Sequence, residues 1–216
     1  MLATQPIVQL LCLFTAYIYG IIYLVLATYP ALWSAKYGQP VGTLSINYVS
    51  LGVGFSLGAQ FCAALQDRVY VRLKRRGRDE AGRPEFRVPL MVPGAVLVPV
   101  GLLVYSWTAE ARTHWIGPNV GAAVFAAGSI VTFQCVNGYV VDAYTRYAAS
   151  AIGAITVLRS LAGFGFPLFA PYLYESLGYG RAGSVLAACA VAVGWPSPVL
   201  LWMYGARLRA RSKFSG

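Results

Sequence analysis

The sequence predicts an all-α membrane protein with six transmembrane helices, and its composition and its apolar runs both point to this class. Of the 216 residues, 58% are hydrophobic and 11% are charged, and the mean hydropathy is +0.61. A soluble domain carries about 25% charged residues, so this chain has too few charges to cover a water-facing surface. Six apolar runs also reach the roughly 20 residues that a helix needs to cross a bilayer.

The apolar runs divide the chain into a single membrane bundle with little room for a soluble domain. Each run is continuous rather than alternating in polarity, which favours helices over the strands of a barrel. The first run is too long for a signal-peptide core and is interpreted as a permanent span. The predicted spans are 7–30, 44–65, 88–109, 116–141, 151–174 and 182–204, with a basic connection at 66–87 and a basic tail at 205–216.

The distribution of lysine and arginine predicts that both termini face the cytosol. The connection at 66–87 is dense in arginine, and the tail is also basic, whereas the connections on the other side hold only Lys36, Arg112 and Arg181. Cytosolic loops carry this excess of positive charge in membrane proteins. We expect the plasma membrane rather than the vacuolar membrane, although composition itself does not separate them.

Several function classes are disfavoured by what the sequence lacks. It has no glycine-rich phosphate loop, no HExxH motif and no nucleophile elbow, which are the signatures of common enzyme sites. The cysteines lie in separate apolar runs without a metal-ligand spacing, and the basic residues are not interleaved with aromatic ones as in nucleic-acid sites. We therefore expect no enzyme activity, no metal, no prosthetic group and no nucleic-acid partner.

Polar side chains inside the apolar runs are the first candidates for a substrate cavity. Amides at membrane depth either bridge helices or line a wet cavity, and both interpretations stay open. Gln134 and Asn137 are three residues apart and share one face of the fourth span. Tyrosines and amides together suit a large, weakly polar organic molecule. The cavity candidates are Tyr17, Asn47, Gln134, Asn137 and Arg159, with Tyr19 and Tyr48 as further tyrosines of the same lining.

Arg159 is the unusual residue of the fifth span. It lies about 12–15 Å inside the membrane, where an arginine that faces lipid costs from about 3 to more than 10 kcal/mol. It is therefore predicted to face the bundle interior, either in a cavity or gate or as a structural arginine that binds backbone carbonyls or snorkels. The sequence places no acid at its depth, so its counter-charge is expected on the substrate or on a second bundle.

Two charged pairs near the cytosolic ends are candidates for a gate. Asp67 and Arg68 follow the second span and either lock helices together or anchor the chain to lipid phosphates. Asp142 and Arg146 are four residues apart and share a face if the helix continues through them.

Glycine spacing in the second span predicts a close helix contact. Gly54 and Gly58 form a GxxxG pair, which serves either helix packing or a hinge.

Three stretches of the chain resemble fungal transporters of the major facilitator superfamily. The resemblance runs through "TQPIVQLLCLFTAYIYGIIYLVLATYPALW", "RPEFRVPLMVPGAVLVPVGLLVYSW" and "NGYVVDAYTRYAASAIGAITVLRSLAGFGFPLFAPYLYESLGYG", and it is most specific from Asp142 to Leu177. The similar branch is the drug:proton antiporter group, which exports drugs and secondary metabolites. The resemblance covers only the C-terminal six-span half of such a protein.

Two family motifs are present in altered form. The loop motif GxxxDRxGRR is matched by Ala63, Asp67, Arg68 and Arg72, while Tyr70 replaces its second glycine. The glycine-proline motif of the eleventh span is matched by residues that become hinge candidates, and Ala170 stands where a glycine is expected. These hinge candidates are Gly165, Pro167 and Pro171.

The resemblance implies a half-bundle of two inverted three-helix repeats that takes part in proton-coupled efflux of a small organic compound by alternating access. It implies no cofactor beyond a proton gradient. Besides the lipid bilayer and the substrate, the expected partner is an N-terminal six-span half or a second copy of the chain. The proton-carrying carboxylate is expected in the other half, since Asp67 and Asp142 lie at the membrane edge. The alternatives are a truncated fragment without transport activity and a membrane scaffold.

Overall fold

A computed structural model describes residues 6–77 and 83–210, and the regular structure in these residues is entirely helical. Residues 78–82 of the predicted basic connection and 211–216 of the predicted tail lie outside the described residues. Short 3₁₀ helices occupy Ser45–Asn47, Pro84–Leu90 and Thr145–Tyr147. The α-helices are α1 (Pro6–Ala35), α2 (Val41–Leu44), α3 (Tyr48–Gly77), α4 (Met91–Glu110), α5 (Ile116–Ala143), α6 (Ala148–Gly194) and α7 (Pro196–Ala210).

The described residues contain five long apolar helical stretches, which make six crossings. The last stretch, Thr145–Gly205, has 61 residues, about 90 Å of helix, or three times the thickness of a hydrocarbon core of about 30 Å. It is interrupted at Gly178. Tyr17 contacts both arms, since its ring lies 5.8 Å from that of Phe166 and its hydroxyl donates to the carbonyl of Leu186 at 2.7 Å. The two arms therefore run side by side, and the all-α six-span class is confirmed.

Gly178 explains where the long helix folds back. Its dihedral angles, φ 74° and ψ 172°, belong to a region that is open essentially to glycine alone. The break frees the backbone N–H of Tyr179, which donates to Glu110 at 2.8 Å. Lys36 pairs with the same carboxylate at 3.7 Å. These contacts tie α1, α4 and α6 together at one end of the bundle, here called the Glu110 end.

Several helices extend beyond the predicted spans. Helix α3 continues through Gly77, so the first part of the basic connection predicted at 66–87 is helical, and the 3₁₀ helix Pro84–Leu90 occupies its last part. Helix α7 likewise continues through Ala210 into the predicted tail. Hydropathy marks where the apolar stretch ends, whereas arginine, lysine and leucine are good helix formers that prolong the helix into the interface.

Glycines bring α4 and α5, the most extensive helix pair, into backbone contact. A Cβ atom at Gly101 would lie 2.3 Å from the backbone nitrogen of Phe125, and one at Gly121 would lie 2.3 Å from that of Tyr105. Small residues allow this close approach. Helices in a bilayer associate through such packing, because lipid tails are as apolar as the side chains and the hydrophobic effect does not drive the helices together. The second arm of α6 packs on α4 from the other side, so these helices form the back of the bundle.

The predicted GxxxG pair lies where α3 crosses α5. Cβ atoms at Gly54 and Gly58 would lie 2.2 Å from the carbonyl oxygen of Ala123 and 2.6 Å from that of Ala127. This placement agrees with the helix-packing alternative.

The front of the bundle is open between two flanking helices. Helix α3 packs on α5, and the first arm of α6 (148–177) packs on α1, where Phe166 contacts Gly20. Helices α1 and α5 meet between these flanks. Both flanks carry exposed apolar side chains, including Leu57 at 63% and Phe164 at 71% exposure. We call the surface of α1, α5 and the first arm of α6 between the flanks the open face.

Candidate functional site

Arg159 lies about halfway along the first arm of α6 and contacts an aromatic ring of α1. Its guanidinium carbon is 5.2 Å from the centroid of the Tyr19 ring, a cation–π contact worth about 0.5–2 kcal/mol. The side chain is half-buried, and its Nε atom is buried without a hydrogen-bond partner. Among the described residues, no carboxylate pairs with it. The predicted contact with backbone carbonyls is not observed, and part of its bonding capacity is unused.

Two further aromatic rings contact Tyr19 next to Arg159. The hydroxyls of Tyr19 and Tyr23 are hydrogen-bonded at 3.2 Å, and Phe133 of α5 meets the Tyr19 ring edge-on at 6.0 Å between centroids. Gly163 lets the ring approach α6, because a Cβ atom there would lie 3.0 Å from Tyr19. We call Tyr19, Tyr23, Phe133 and Arg159 the Arg159 cluster; it joins three helices near the middle of their crossings.

Gln134 and Asn137 extend the cluster along α5. Both side chains are half-buried, and neither has a hydrogen bond to another described residue. Helical geometry places them within about 100° of Phe133 around the helix axis, on the same side of α5. Amides without protein partners at this depth need water or a ligand, so their position favours a cavity over a bridge between helices.

Other cavity candidates hold helices together instead of lining the open face. The Tyr17 hydroxyl is used on Leu186, and the Tyr48 hydroxyl donates to the carbonyl of Leu26 at 3.0 Å. Asn47 is buried at the Glu110 end, where its amide donates to Gln39 at 2.6 Å and its carbonyl accepts from Asn119 at 3.0 Å. Composition alone did not separate these bridging residues from Tyr19.

At the end of the bundle opposite the Glu110 end, Asp142 pairs with Arg87. Arg87 donates from Nε to Oδ2 of Asp142 and from a terminal nitrogen to Oδ1 at 3.4 Å. The two side chains are 20% and 24% exposed. Arg87 also lies 5.3 Å from the centroid of the Tyr70 ring on α3. The pair therefore connects three helices at this end, here called the basic end.

The condition under which Asp142 and Arg146 would share a helix face is not met. Helix α5 ends at Ala143, and Tyr144 has φ −127° and ψ 45°, so the two side chains do not share a helix face. Arg146 is exposed and lies over the Tyr147 ring at 5.9 Å. Arg87 was missed because it lies 55 residues away from Asp142 along the chain.

Asp67 and Arg68 are exposed on α3 at the basic end. They line an open groove of about 710 Å³ together with Val71, Arg72 and Arg75. In residues 6–77 and 83–210, neither side chain forms an ion pair. The structure thus separates the two gate candidates: Asp142 is paired within the bundle, whereas Asp67 and Arg68 face outwards.

The predicted hinge residues of α6 lie in continuous helix. Pro167 and Pro171 are inside the helix, and the non-helical position of α6 is Gly178. Gly165 borders open space, since a Cβ atom there would meet nothing within 4 Å. The turn of the chain is therefore placed after these residues, at Gly178.

Comparison with known proteins shows similarity to fungal transporters along the whole chain. The MFS-type transporter oryF of Aspergillus oryzae is 47% identical over 212 residues, which are 98% of this chain and 44% of that protein. The efflux pump vrtL of Penicillium aethiopicum is 47% identical over 215 residues, or 100% of this chain and 42% of that protein. The probable efflux pump mfs2 of Aspergillus flavus is 38% identical, with 100% and 51% covered.

The chain spans about half the length of these relatives or less. No protein-family model matches it, and no solved structure does. The resemblance to fungal major facilitator transporters is thus confirmed, with this chain homologous to one part of them.

Proposed function

We propose that this chain is the C-terminal half of a major facilitator exporter that moves a small organic compound, such as a drug or secondary metabolite, in exchange for protons. The observation that carries the proposal is whole-chain homology to proteins named as transporters and efflux pumps. The six crossings supply two sets of three helices, as inverted repeats require. The open face supplies half of a central cavity.

A second six-span bundle covers the open face in this proposal. Relatives of about twice the length support it, as do the exposed apolar side chains on both flanks, α3 and the first arm of α6. Alternating access then consists of rocking one bundle against the other. The second bundle is an N-terminal half of the same type; a second copy of this chain is the alternative.

The basic end faces the cytosol in the plasma membrane, by the positive-inside rule. At this end Arg87 and Asp142 hold the 3₁₀ helix that precedes α4 to the end of α5 within one bundle. Asp67 and Arg68, which are exposed and unpaired within the described residues, are placed to contact the other bundle and form the gate. Opening the gate then breaks contacts between bundles while the Arg87–Asp142 pair stays intact.

Proton coupling depends on the other half. Of the acids in the described residues, Glu85, Glu110 and Asp142 lie at or next to helix ends, and Glu175 lies three residues before the break at Gly178. Asp67 lies in the part of α3 that follows the apolar run, at the basic end. A proton carrier requires a titrating group shielded at membrane depth. The coupling carboxylate therefore belongs to the N-terminal half.

Efflux from pump-deficient yeast tests this proposal. Cells express the chain alone, the N-terminal six spans of oryF alone, or both, and retention of a panel of fluorescent organic compounds is measured. We expect export only when both halves are present, because one bundle forms half of a cavity. Export by the chain alone would support a second copy as partner. If both halves reach the membrane and co-purify but export nothing, the fragment or scaffold alternative replaces this proposal.

A further inference from the structure

We propose that the Arg159 cluster binds an aromatic organic anion, a planar ring system that carries a carboxylate or an ionised phenol. This inference rests on the proposed function, since it names the substrate class of the exporter. It assigns the charge of Arg159 to recognition of the ligand.

Arg159 has no counter-charge within the part of the chain that the structure describes. The nearest acid towards the basic end of α5, Asp142, is nine residues beyond Phe133, or about 13 Å along the helix, and it is already bound to Arg87. A guanidinium at this depth needs an anion, and the half-buried side chain can be reached from the open face.

An anion can approach Arg159 from a direction that its contact with Tyr19 leaves open. The guanidinium carbon of Arg159 lies over the face of the Tyr19 ring, 5.2 Å from the ring centroid. The N–H groups of arginine point outwards in the plane of the group and match the two oxygens of a carboxylate. A cation–π contact uses none of these N–H donors, so Tyr19 can orient the arginine while the terminal N–H groups remain free to bind an anion.

An aromatic wall lies beside the charge. Tyr19, Tyr23 and Phe133 meet at centroid distances of 4.8 Å and 6.0 Å. Rings in such arrangements attract a further ring by edge-on or offset contact. An aliphatic acid would satisfy Arg159 but would gain little from the wall, and an organic cation would be repelled by the arginine.

Two amide side chains on α5 lie beside the aromatic wall. Gln134 and Asn137 lie on the same side of α5 as Phe133 and have no partner in the described part of the chain. Each amide offers both a donor and an acceptor. They suit the hydroxyl and carbonyl substituents of a polyfunctional aromatic acid, which places the charged group at Arg159 and the neutral substituents towards α5.

The test measures binding of three probes to the purified chain in lipid nanodiscs: 2-naphthoate, its neutral analogue 2-naphthamide, and cyclohexanecarboxylate. We expect 2-naphthoate to bind at least tenfold more tightly than either of the others. Arg159→Gln should weaken 2-naphthoate at least tenfold and leave 2-naphthamide within twofold. Arg159→Lys should weaken binding of 2-naphthoate less than Arg159→Gln does, because the positive charge remains. Tyr19→Leu should weaken both naphthalene probes.

Arg181→Gln is the matched control, since Arg181 is exposed at the Glu110 end, and it should leave binding of all probes unchanged. A thermal melt of each variant confirms that it is folded. Equal affinities of the chain for 2-naphthoate and 2-naphthamide would overturn the inference. So would an Arg159→Gln variant that binds both naphthalene probes more weakly by the same factor. Loss of 2-naphthoate binding when the N-terminal half is added would also overturn it, because the counter-charge would then belong to that half.

The two proposals fail separately. If the paired halves export neutral compounds while no Arg159-dependent binding of 2-naphthoate is found, the exporter stands and the substrate class is wrong. If Arg159-dependent binding is found without export, the binding site stands and the transport proposal is wrong.

Discussion

Asp142→Ala is expected to destabilise the bundle by about 1–3 kcal/mol, whereas Arg146→Ala should change its stability by less than about 0.5 kcal/mol. The aspartate variant leaves Arg87 without its carboxylate partner, and both side chains of this pair are about one-fifth to one-quarter exposed. The expected loss in the free energy of unfolding therefore lies between the losses measured for exposed and for buried ion pairs. Thermal melting of the purified chain in detergent measures the difference.

A charge exchange provides the control for this pair. The double variant Arg87→Asp with Asp142→Arg should recover much of the stability that either single variant loses, because the opposite charges remain together. If Arg146→Ala proved as damaging as Asp142→Ala, the pairing of Asp142 with Arg87 would not explain the stability at this end. Asp142→Asn should leave proton coupling intact in the assembled exporter, since the coupling carboxylate is placed in the other half.

Gly54→Leu is expected to separate α3 from α5 and to abolish efflux by the assembled exporter. Any side chain at this position starts with a Cβ atom 2.2 Å from the carbonyl oxygen of Ala123, which belongs to backbone and cannot move aside. The variant should lower the free energy of unfolding by about 3 kcal/mol, the upper part of the range for overpacked cores, because the clash is with backbone. Thermal stability and efflux of the same variant check both expectations.

Gly52 is the matched control on the same helix. It is exposed, and a Cβ atom there would meet nothing within 4 Å. Gly52→Leu should therefore leave stability unchanged or raise it by up to about 1 kcal/mol, because leucine favours helix over glycine. Equal destabilisation by leucine at both positions would show that the α3–α5 crossing differs from the one described.

The crossings of the fold could be predicted from hydropathy because the bilayer imposes a length on every apolar helix. The ends of the helices could not, since α3 continues through a basic segment to Gly77 where only helix propensity acts. The fold-back at Gly178 follows from a backbone conformation that glycine permits but does not require. The sequence has 23 glycines, and nothing in it distinguishes Gly178 from the others as the site of the fold-back.

The sequence predicted the membrane depth of the candidate site but not which residues contact each other there. An arginine in an apolar run must avoid lipid, so the position of Arg159 alone indicated the bundle interior. Its contact with Tyr19 instead of Tyr17 depends on how α1 lies against α6, and Gly163 sets that approach. The partner of Asp142 depends on where α5 ends, and spacing along the sequence does not contain that information.

Single-cysteine accessibility tests the central claim that the open face is a water-filled half-cavity at membrane depth. In a background without native cysteines, Asn137→Cys on the open face is compared with Val100→Cys, at a position that is 45% exposed near the middle of α4 at the back of the bundle. A charged, water-soluble methanethiosulfonate is applied to both membrane sides of the assembled exporter. The account predicts fast labelling of Asn137→Cys, slowed by a bound substrate, and no labelling of Val100→Cys, which faces lipid. Labelling of Val100→Cys at the same rate, or no labelling of Asn137→Cys, would contradict it.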